Sequence, residues 1–285
     1  MQAASPIEVR LLVAADIPAA MRLKEAAAWN QTEADWRRLL SLEPNGCFGA
    51  VRDSQLVGTT TTTIYGELAW IGMVLVEPQQ RRQGIAAQLV NVALEYLSGK
   101  VETVKLDATA LGQPVYEKLG FEVESEVERW SGSATSALTE VEGQPVLDQA
   151  AVRELLELDR TAFAADRSHL IAQLLTEACV APVLLRAADG ALTGYALARD
   201  GSKKTYVGPV VAKDRQVIGT LLDQMFAQLA GREIYIDVNK ECVADTRMLS
   251  ERGFVKERDL VRMVKGRAGR KTSPLVVAIA GPEVG

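Results

Sequence analysis

The sequence predicts a mixed α/β fold that occurs twice along one chain. The chain has 285 residues, a length that suits two domains of ordinary size. In the first half, apolar runs of strand length alternate with segments whose apolar residues recur at helical spacing. After a stretch rich in Ser, Gly, Thr and Glu, the second half repeats this order of elements. We therefore expect two similar domains joined by a linker.

The first half opens with a predicted strand and two helices. Residues 7–13 alternate weakly between apolar and polar side chains, as strands do. Asp16 can cap the helix that follows, and Pro18 stands in its first turn. A polar break at residues 29–32 ends the helical pattern, and a second helix follows it. Two tryptophans flank this break, so it predicts either helix packing or the lining of a pocket.

Three strands come next. Residues 47–51 and 56–64 form a predicted hairpin around a turn at 52–55, and a run of β-branched threonines supports its second strand. Residues 70–76 are an apolar run of strand length. Pro78 ends this run because proline cannot donate a hydrogen bond to a sheet. We expect residues 70–76 to be the central strand.

The segment after the central strand contains Arg81, Arg82 and Gly84, and an amphipathic helix follows it. Amide N–H groups at a helix N-terminus lack intrahelical partners, and the helix dipole adds positive charge there. The segment therefore predicts an anion site, usually for phosphate, and a glycine lets a pyrophosphate approach the backbone closely. It has neither the P-loop motif nor the Rossmann glycine motif. An ordinary strand–loop–helix connection is the alternative.

The first half ends with a strand, a short helix and a last strand. Residues 101–108 carry apolar side chains at strand spacing. Residues 110–121 contain a short helix that Gly120 closes, in the position where a left-handed cap is usual. Residues 121–130 are the final predicted strand.

Two of these motifs resemble the signatures of the GNAT superfamily of N-acetyltransferases. Arg81-x-x-Gly84-x-Ala86 resembles its acyl-CoA pyrophosphate loop, Gln/Arg-x-x-Gly-x-Gly/Ala. Tyr116 to Phe121 resembles its tyrosine-x-x-x-glycine-phenylalanine signature and follows the loop by about 30 residues, as in that superfamily. The resemblance identifies residues 1–133 as a GNAT domain. It implies a mostly antiparallel, twisted sheet flanked by helices, with acetyl-CoA (coenzyme A) as the acyl donor.

Residues 134–144 are the predicted linker, and residues 145–285 resemble a second, degenerate GNAT domain. In residues 213–219 no arginine stands three residues before a helix-opening glycine. Asp214 would repel a pyrophosphate because the two carry like charges. Leu249 stands where the first half has its signature tyrosine. The chain thus resembles bacterial proteins in which an active GNAT domain precedes a degenerate one, which implies one active site, in the first half.

The resemblance also implies which residues hold acetyl-CoA. The pantetheine arm would pair with the central strand as an added strand does, in a wedge that a bulge opens. The backbone of the loop would hold the pyrophosphate, and one or both arginines would add charge. At Thr109 the superfamily often has asparagine, so a cofactor contact there is left open. The implied cofactor residues are Val74, Leu75, Val76, Arg81, Arg82, Gln83, Gly84, Ile85, Ala86, Thr109 and Tyr116.

Acetyl transfer to an amine needs a proton acceptor, a polarised carbonyl and stabilisation of the leaving thiolate. Tyr116 matches the superfamily's general acid for the thiolate, and a hydrogen bond to sulfur or simple packing are the alternatives. Asp107 ends a strand where α/β sheets place their sites, so it is a candidate base, and a structural hydrogen bond to the following turn is the alternative. Glu67 is its rival, either carboxylate could act through water, and an amine that is already neutral would need no base.

The resemblance implies that the acceptor is an amine on a small molecule or a peptide. Trp29, Asn30 and Trp36 are the candidate acceptor residues, since an aromatic pocket can hold an amine through cation–π contact. Small amines, amino acids, antibiotics and peptide N-termini all stay open, and so does the choice between monomer and homodimer.

Composition excludes several other classes of function. The net charge of −5 argues against a nucleic-acid-binding surface. The chain has one histidine and three scattered cysteines, so we expect no metal site. Unpaired thiols suit a reducing compartment, and no leader or run of about 20 apolar residues is present, so we expect a cytoplasmic protein without membrane contact.

Three hypotheses follow. The first is an acetyl-CoA-dependent N-acetyltransferase, an acyltransferase that moves acetyl to a primary amine by direct attack on the thioester. The second is a non-catalytic protein that binds or senses acyl-CoA. The third is a nucleotide-binding protein that uses the anion site for another phosphate. Tyr116 favours the first over the second, because a protein that only binds needs no acid at that position.

Overall fold

The computed structural model describes residues 5–134, 147–240, 247–267 and 273–285. The chain divides into two compact units. The first unit runs to Val123 and also takes the segment that starts at Met263, and the second unit contains most of the rest. Most of the predicted linker, residues 135–144, lies outside the described residues, and the predicted domain boundaries stay a prediction.

The first unit is a mixed sheet with helices. Its strands are β1 (Glu8–Leu11), β2 (Phe48–Arg52), β3 (Gln55–Tyr65), β4 (Leu68–Val76) and β5 (Thr103–Ala108), and its helices are α1 (Ile17–Ala26), α2 (Glu33–Leu42), α3 (Ile85–Leu97) and α4 (Gln113–Lys118). The strands follow the order β1-β2-β3-β4-β5, in which neighbours are antiparallel except for the parallel pair β4 and β5.

Local sequence explains where these elements begin and end. Asp53 and Ser54 both adopt positive φ, +49° and +64°, which is the conformation of a tight hairpin turn between β2 and β3. Thr32 caps α2, because its hydroxyl accepts the Asp35 N–H at 3.4 Å while the Asp35 carboxylate accepts the Thr32 N–H at 2.7 Å. Asp16 does not cap α1 through its side chain; its carboxylate instead accepts the Val13 N–H at 2.9 Å.

The two faces of the first sheet are covered differently. A Cβ added at Gly58 would lie 3.0 Å from Leu89 and 3.3 Å from Ile85, so the even-numbered residues 58–62 of β3 face α3. The odd-numbered residues 59–63 of β3 face away from α3, and they too are buried. Because α1 and α2 also pack against β3, they cover this second face.

The second unit repeats the arrangement. The elements that follow α4 in the chain are β6 (Glu122–Ser133), α5 (Gln149–Phe163), α6 (Ser168–Thr176), β7 (Val183–Arg186), β8 (Leu192–Arg199), β9 (Thr205–Ala212), α7 (Arg215–Gln228), β10 (Glu233–Asn239), α8 (Arg247–Ser250), β11 (Val255–Gly266) and β12 (Val276–Ala278). The strand order of the second unit is β11-β6-β10-β12-β9-β8-β7, with β9 also paired in parallel with β10. The prediction of a mixed sheet with helices, present twice, is confirmed.

Candidate active site

The central strand β4 diverges from β5 after only three paired residues. The parallel pairing covers Leu68 to Trp70, although β4 continues to Val76. A bulge lies in the same region, because Thr61 pairs with Gly72 whereas Thr59 pairs with Leu75. The two strands therefore enclose an open wedge, and no other described strand lies between them.

Met73 lies in the bulge and fixes its geometry. Its φ is +47°, a left-handed value that is uncommon for a residue with a side chain. The Thr59 hydroxyl donates a hydrogen bond of 2.7 Å to the Met73 carbonyl and so holds the bulge to β3. The predicted cofactor strand thus has its bulge, and Val74 and Val76 are partly exposed while Leu75 is buried.

The anion loop, residues 77–84, connects β4 to α3. Arg82 and Gly84 adopt left-handed φ values of +61° and +80°, and Gly84 is the N-cap of α3. A Cβ added at Gly84 would have no protein atom within 4 Å, so packing within the protein does not require a glycine there. The amide N–H groups of residues 82–87 form no hydrogen bond within the described part of the chain. They form a cluster of unpartnered donors at a helix N-terminus.

The three arginines beside this loop differ in their contacts. Arg81 donates from Nε to the Val76 carbonyl at 3.2 Å, whereas Arg82 is exposed and has no hydrogen bond or ion pair among the described residues. Arg52, at the end of β2, donates from Nη1 to Gln83 Oε1 at 2.8 Å and also to the Gln80 side chain. No described carboxylate pairs with any of these arginines, so their positive charge is available to an anion.

Tyr116 lies in α4, directly after the carboxyl end of β5. Its ring packs edge-on against Phe121 at a centroid distance of 6.1 Å. A Cβ added at Gly112 would lie 2.9 Å from the Tyr116 ring, so a side chain there would collide with the ring. The Tyr116 hydroxyl has no hydrogen-bond partner in the described part of the chain. Burial raises the pKa of this phenol well above its ordinary value, so the proton stays on it at neutral pH.

The two candidate bases lie at different ends of the sheet. Asp107 is half-buried, near the carboxyl end of β5 and on the same end as the anion loop. Glu67 is exposed in the turn that enters β4, so the length of β4 separates it from the loop. Thr109 has a local structural contact, since its hydroxyl accepts the Gly112 N–H at 3.2 Å.

The three candidate acceptor residues lie on and before α2. Trp36 is 1% exposed, Asn30 is 6% exposed and Trp29 is half-buried, so Trp29 keeps the most surface of the three. The Trp36 indole nitrogen is buried without a hydrogen-bond partner. The hydroxyls of Thr61 and Thr63 are in the same state, on the face of β3 that α1 and α2 cover. Buried polar atoms normally have partners, so these three are candidates for contact with a bound molecule.

The second unit has a different residue at each of these points. Asp214 is the N-cap of α7, the position that Gly84 has in α3, and its carboxylate accepts the Val217 N–H at 2.9 Å. This helix N-terminus therefore already holds a negative charge from the chain itself. Leu249, which stands where the first unit has Tyr116, is 1% exposed within an apolar core.

Among the described residues, no group of three His, Cys, Asp or Glu side chains could hold a metal ion. None of the helices in the described part of the chain is long and apolar enough to cross a membrane.

Two family models match the chain in tandem. Residues 16–121 match the acetyltransferase (GNAT) family, and residues 155–274 match an acetyltransferase (GNAT) domain. The first match contains the wedge, the anion loop and Tyr116.

Known proteins with similar sequences or folds carry related names. The uncharacterized N-acetyltransferase YitH of Bacillus subtilis (strain 168) is 28% identical over 196 residues, or 68% of either chain. A Pyrococcus horikoshii protein assigned as an acetyltransferase superposes with a TM-score of 0.81 at 22% identity, over 98% of this chain and 96% of that one. A tandem GNAT protein from the clavulanic acid biosynthesis pathway superposes with a TM-score of 0.63 at 15% identity, over 93% and 99%.

The sequence did not predict Thr61 and Thr63 as site residues, and it missed Arg52 and Gly112 as well. Arg52 is distant from the loop in the chain and carries no motif, so only the fold reveals its contacts with Gln80 and Gln83. Gly112 could have been suspected, because it stands four residues before Tyr116, one helical turn away.

Proposed function

Because the chain belongs to the GNAT acetyltransferases, with two such domains in tandem, we propose that its first domain transfers acetyl from acetyl-CoA to a primary amine. One observation carries this proposal. An open wedge, a cluster of free amide N–H groups and an unpartnered tyrosine hydroxyl all occur at the carboxyl ends of the parallel pair β4 and β5. A thioester on a long phosphorylated arm needs these three features together.

Different parts of this site bind different parts of the cofactor. Val74, Leu75 and Val76 offer a strand edge in the wedge for the amide groups of the pantetheine arm. Gln83 to Ala86 offer N–H groups to the pyrophosphate, at the positive end of the α3 dipole. Of the two loop arginines, Arg82 is the freer to pair with phosphate, because Arg81 is tied by one nitrogen to the Val76 carbonyl.

Acetyl-CoA supplies an activated acyl group, and the chain orients it and manages the protons. The amine nitrogen forms a bond to the thioester carbon, and the carbon–sulfur bond breaks, so the sulfur leaves with the electron pair. Tyr116 donates its hydroxyl to that sulfur, as a hydrogen bond or with transfer of the proton, and so stabilises the leaving thiolate. Its raised pKa keeps the phenol protonated and ready to donate at neutral pH.

Asp107 is our candidate for the group that removes the amine proton. It is half-buried near the carboxyl end of β5, which places it at the same end of the sheet as Tyr116 and the loop. Glu67 fits this role less well, because β4 separates it from the loop by about 3.3 Å per residue over its nine residues.

We place the acceptor on the face of β3 that α1 and α2 cover. Trp29 offers exposed aromatic surface there, with Asn30 beside it, and the Trp36 indole offers an unpartnered donor. Thr61 and Thr63 add two buried hydroxyls without partners on the same face. Such a site suits an amine that carries further hydrogen-bonding groups more than a simple alkylamine.

The proposal is tested by measuring thiol release from acetyl-CoA with a panel of amines, amino acids, aminoglycosides and peptides. We expect release that depends on at least one amine and falls about a hundredfold in Tyr116→Phe. Tyr96→Phe is the matched control, because that hydroxyl contacts Glu43 and lies outside the proposed site. Binding of acetyl-CoA without release from any amine would favour the acyl-CoA-binding or sensing alternative. Failure to bind acetyl-CoA would contradict both.

A further inference from the structure

Strands β4 and β9 occupy equivalent positions in the two units but differ in what lies beside them. The position of the bulge shows that β3 and β4 correspond to β8 and β9. In the first unit, Thr61 pairs with Gly72 and Thr59 with Leu75. In the second unit, Ala198 pairs with Val207 and Ala196 with Val210. In each case one residue is skipped on the first strand and two are skipped on the second. By this register Val210 and Val211 correspond to Leu75 and Val76.

In the second unit a strand of the chain itself lies against these positions. In β12, Ala278 pairs with Val210 and Val276 with Val211, in the antiparallel sense. On its other side β12 pairs with β10, where Ala278 faces Val238. As in the first unit, β9 and β10 are paired directly only at their beginnings. β12 therefore lies in the second unit's wedge.

We infer that this second wedge is a peptide groove for the chain's own strand β12, which takes the place of a pantetheine arm and keeps acyl-CoA out. Strand addition is the common principle, since a pantetheine arm and a peptide both offer amide groups to a free strand edge. The inference rests on the proposed function only for the ligand of the first wedge.

The groove holds β12 along its length. The Ala212 N–H donates to the Leu275 carbonyl at 3.0 Å, and the Ile279 N–H donates to the Asp237 carbonyl at 3.0 Å. Val277 and Ala278 belong to the apolar core of the unit and are at most 1% exposed. β12 thus contributes to the core of the second unit and is not a loosely attached flap.

Buried polar side chains of the second unit hold the segment after β12. Arg199 donates from Nη1 to the Ala280 carbonyl at 2.8 Å, and the Tyr206 hydroxyl lies 3.3 Å from the Ile279 carbonyl. Arg167, which is bidentate to Asp159 at 2.9 Å, also donates to the Gly285 carbonyl at 2.7 Å. The hydrogen bonds to Ile279, Ala280 and Gly285 all go to backbone carbonyls, so they hold the main chain of this segment in place.

The segment after β12 passes close to Gly208, which has no side chain to obstruct it. By the register of the bulge it corresponds to Met73, and a Cβ added to it would lie 2.1 Å from the Ile279 carbonyl oxygen. No backbone atom can stay at that distance, so any side chain at position 208 would displace the segment. A Cβ added at Gly219, on α7 in the same unit, would meet only the flexible ends of Met248 at 3.4 Å and Arg252 at 3.8 Å.

Hydrogen exchange of the full chain tests the inference, with and without saturating acetyl-CoA. We expect amides of residues 275–280 to exchange at least about a thousandfold more slowly than in an unstructured peptide, and equally slowly in both conditions. Fast exchange in the free protein, or faster exchange when acetyl-CoA is added, would overturn the inference. The free-protein arm is decisive even if acetyl-CoA does not bind, so it separates this inference from the proposed function.

Gly208→Ala and its control Gly219→Ala give a second test, by thermal unfolding. We expect Gly208→Ala to lower the Tm by at least about 5 °C and Gly219→Ala to change it by less than about 2 °C. Equal melting temperatures for Gly208→Ala and the wild type would overturn the inference, because they would mean that the Ile279 carbonyl does not lie against Gly208.

Discussion

The wedge of the first unit is open and the wedge of the second is filled, although the same bulged strand forms one side of each. In the first unit Val74 and Val76 are partly exposed, while every residue of β9 in the second unit is buried. The helix N-termini differ in the same way. Gly84 leaves the amide donors of α3 free, whereas the Asp214 carboxylate accepts an amide N–H of α7. The fold therefore does not need the cofactor, because atoms of the chain itself can occupy both the wedge and the helix N-terminus.

The two units also share one part of the tyrosine signature and differ in another. In both units a left-handed glycine ends the short helix, Gly120 at φ +82° and Gly253 at +80°. In both, the phenylalanine after it donates its N–H at 3.0 Å to the carbonyl five residues earlier, which is a Schellman cap. Of the three residues that define the signature, tyrosine, glycine and phenylalanine, only the tyrosine differs, Tyr116 against Leu249. Glycine and phenylalanine therefore serve the helix end, and the tyrosine is the part expected to serve chemistry.

The largest effect is expected from giving the first unit the second unit's N-cap. Gly84→Asp places a carboxylate where the pyrophosphate would bind, so we expect affinity for acetyl-CoA to fall at least about a hundredfold, as after the loss of two charge-assisted hydrogen bonds. Calorimetry measures this. Asp214→Asn is the control, and it should leave the affinity unchanged. Retained affinity in Gly84→Asp would mean that the anion site lies elsewhere.

A second experiment removes the hydroxyl that distinguishes Tyr116 from Leu249. We expect Tyr116→Phe to lower kcat about a hundredfold while KM for acetyl-CoA changes less than about threefold, because the contact is made mainly in the transition state. Steady-state kinetics separate the two parameters. A kcat equal to that of the wild type would remove Tyr116 from the reaction.

A smaller effect is expected at Arg52, the residue that joins the end of β2 to the anion loop. Arg52→Ala loses the hydrogen bonds to Gln80 and Gln83, so we expect KM for acetyl-CoA to rise about tenfold with kcat nearly unchanged. Arg37→Ala is the control, because Arg37 pairs with Glu33 on the surface of α2. A fall in kcat of Arg52→Ala with constant KM would contradict a role in holding the loop.

The smallest effect concerns pH, because we expect the contribution of Tyr116 to kcat not to change with it. The ordinary pKa of tyrosine is 10.0, and burial raises that of Tyr116, so the phenol stays protonated through pH 10. We expect the ratio of wild-type to Tyr116→Phe kcat to be constant between pH 7 and 10. Any stability that burial of the neutral phenol provides is likewise present below pH 10 and lost above it. A ratio that declines from pH 9 would show that Tyr116 ionises normally.

Much of this comparison could be predicted from the sequence, because it depends on local signals. The run that ends at Pro78, the glycine N-cap of α3 and the glycine that closes α4 each fix a backbone conformation within a few residues. The absence of the loop motif near Asp214 was equally local. These signals gave both units and the position of the anion loop.

The contacts between distant parts of the chain could not be predicted. β12 reads as an ordinary apolar strand, and nothing in its sequence indicates that it lies between β9 and β10. Arg52 and Gln83 are 31 residues apart and meet only through the fold. Trp29, Asn30 and Trp36 were predicted from their residue types, and their burial now ranks Trp29 as the most exposed of the three.

The central claim is that one of the two wedges takes acetyl-CoA and the other is filled by the chain. Titration calorimetry of the full chain with acetyl-CoA tests it most directly, because it measures the number of sites. The account predicts one equivalent bound per chain, lost in Gly84→Asp. Two equivalents per chain, or one equivalent that survives in Gly84→Asp, would contradict it.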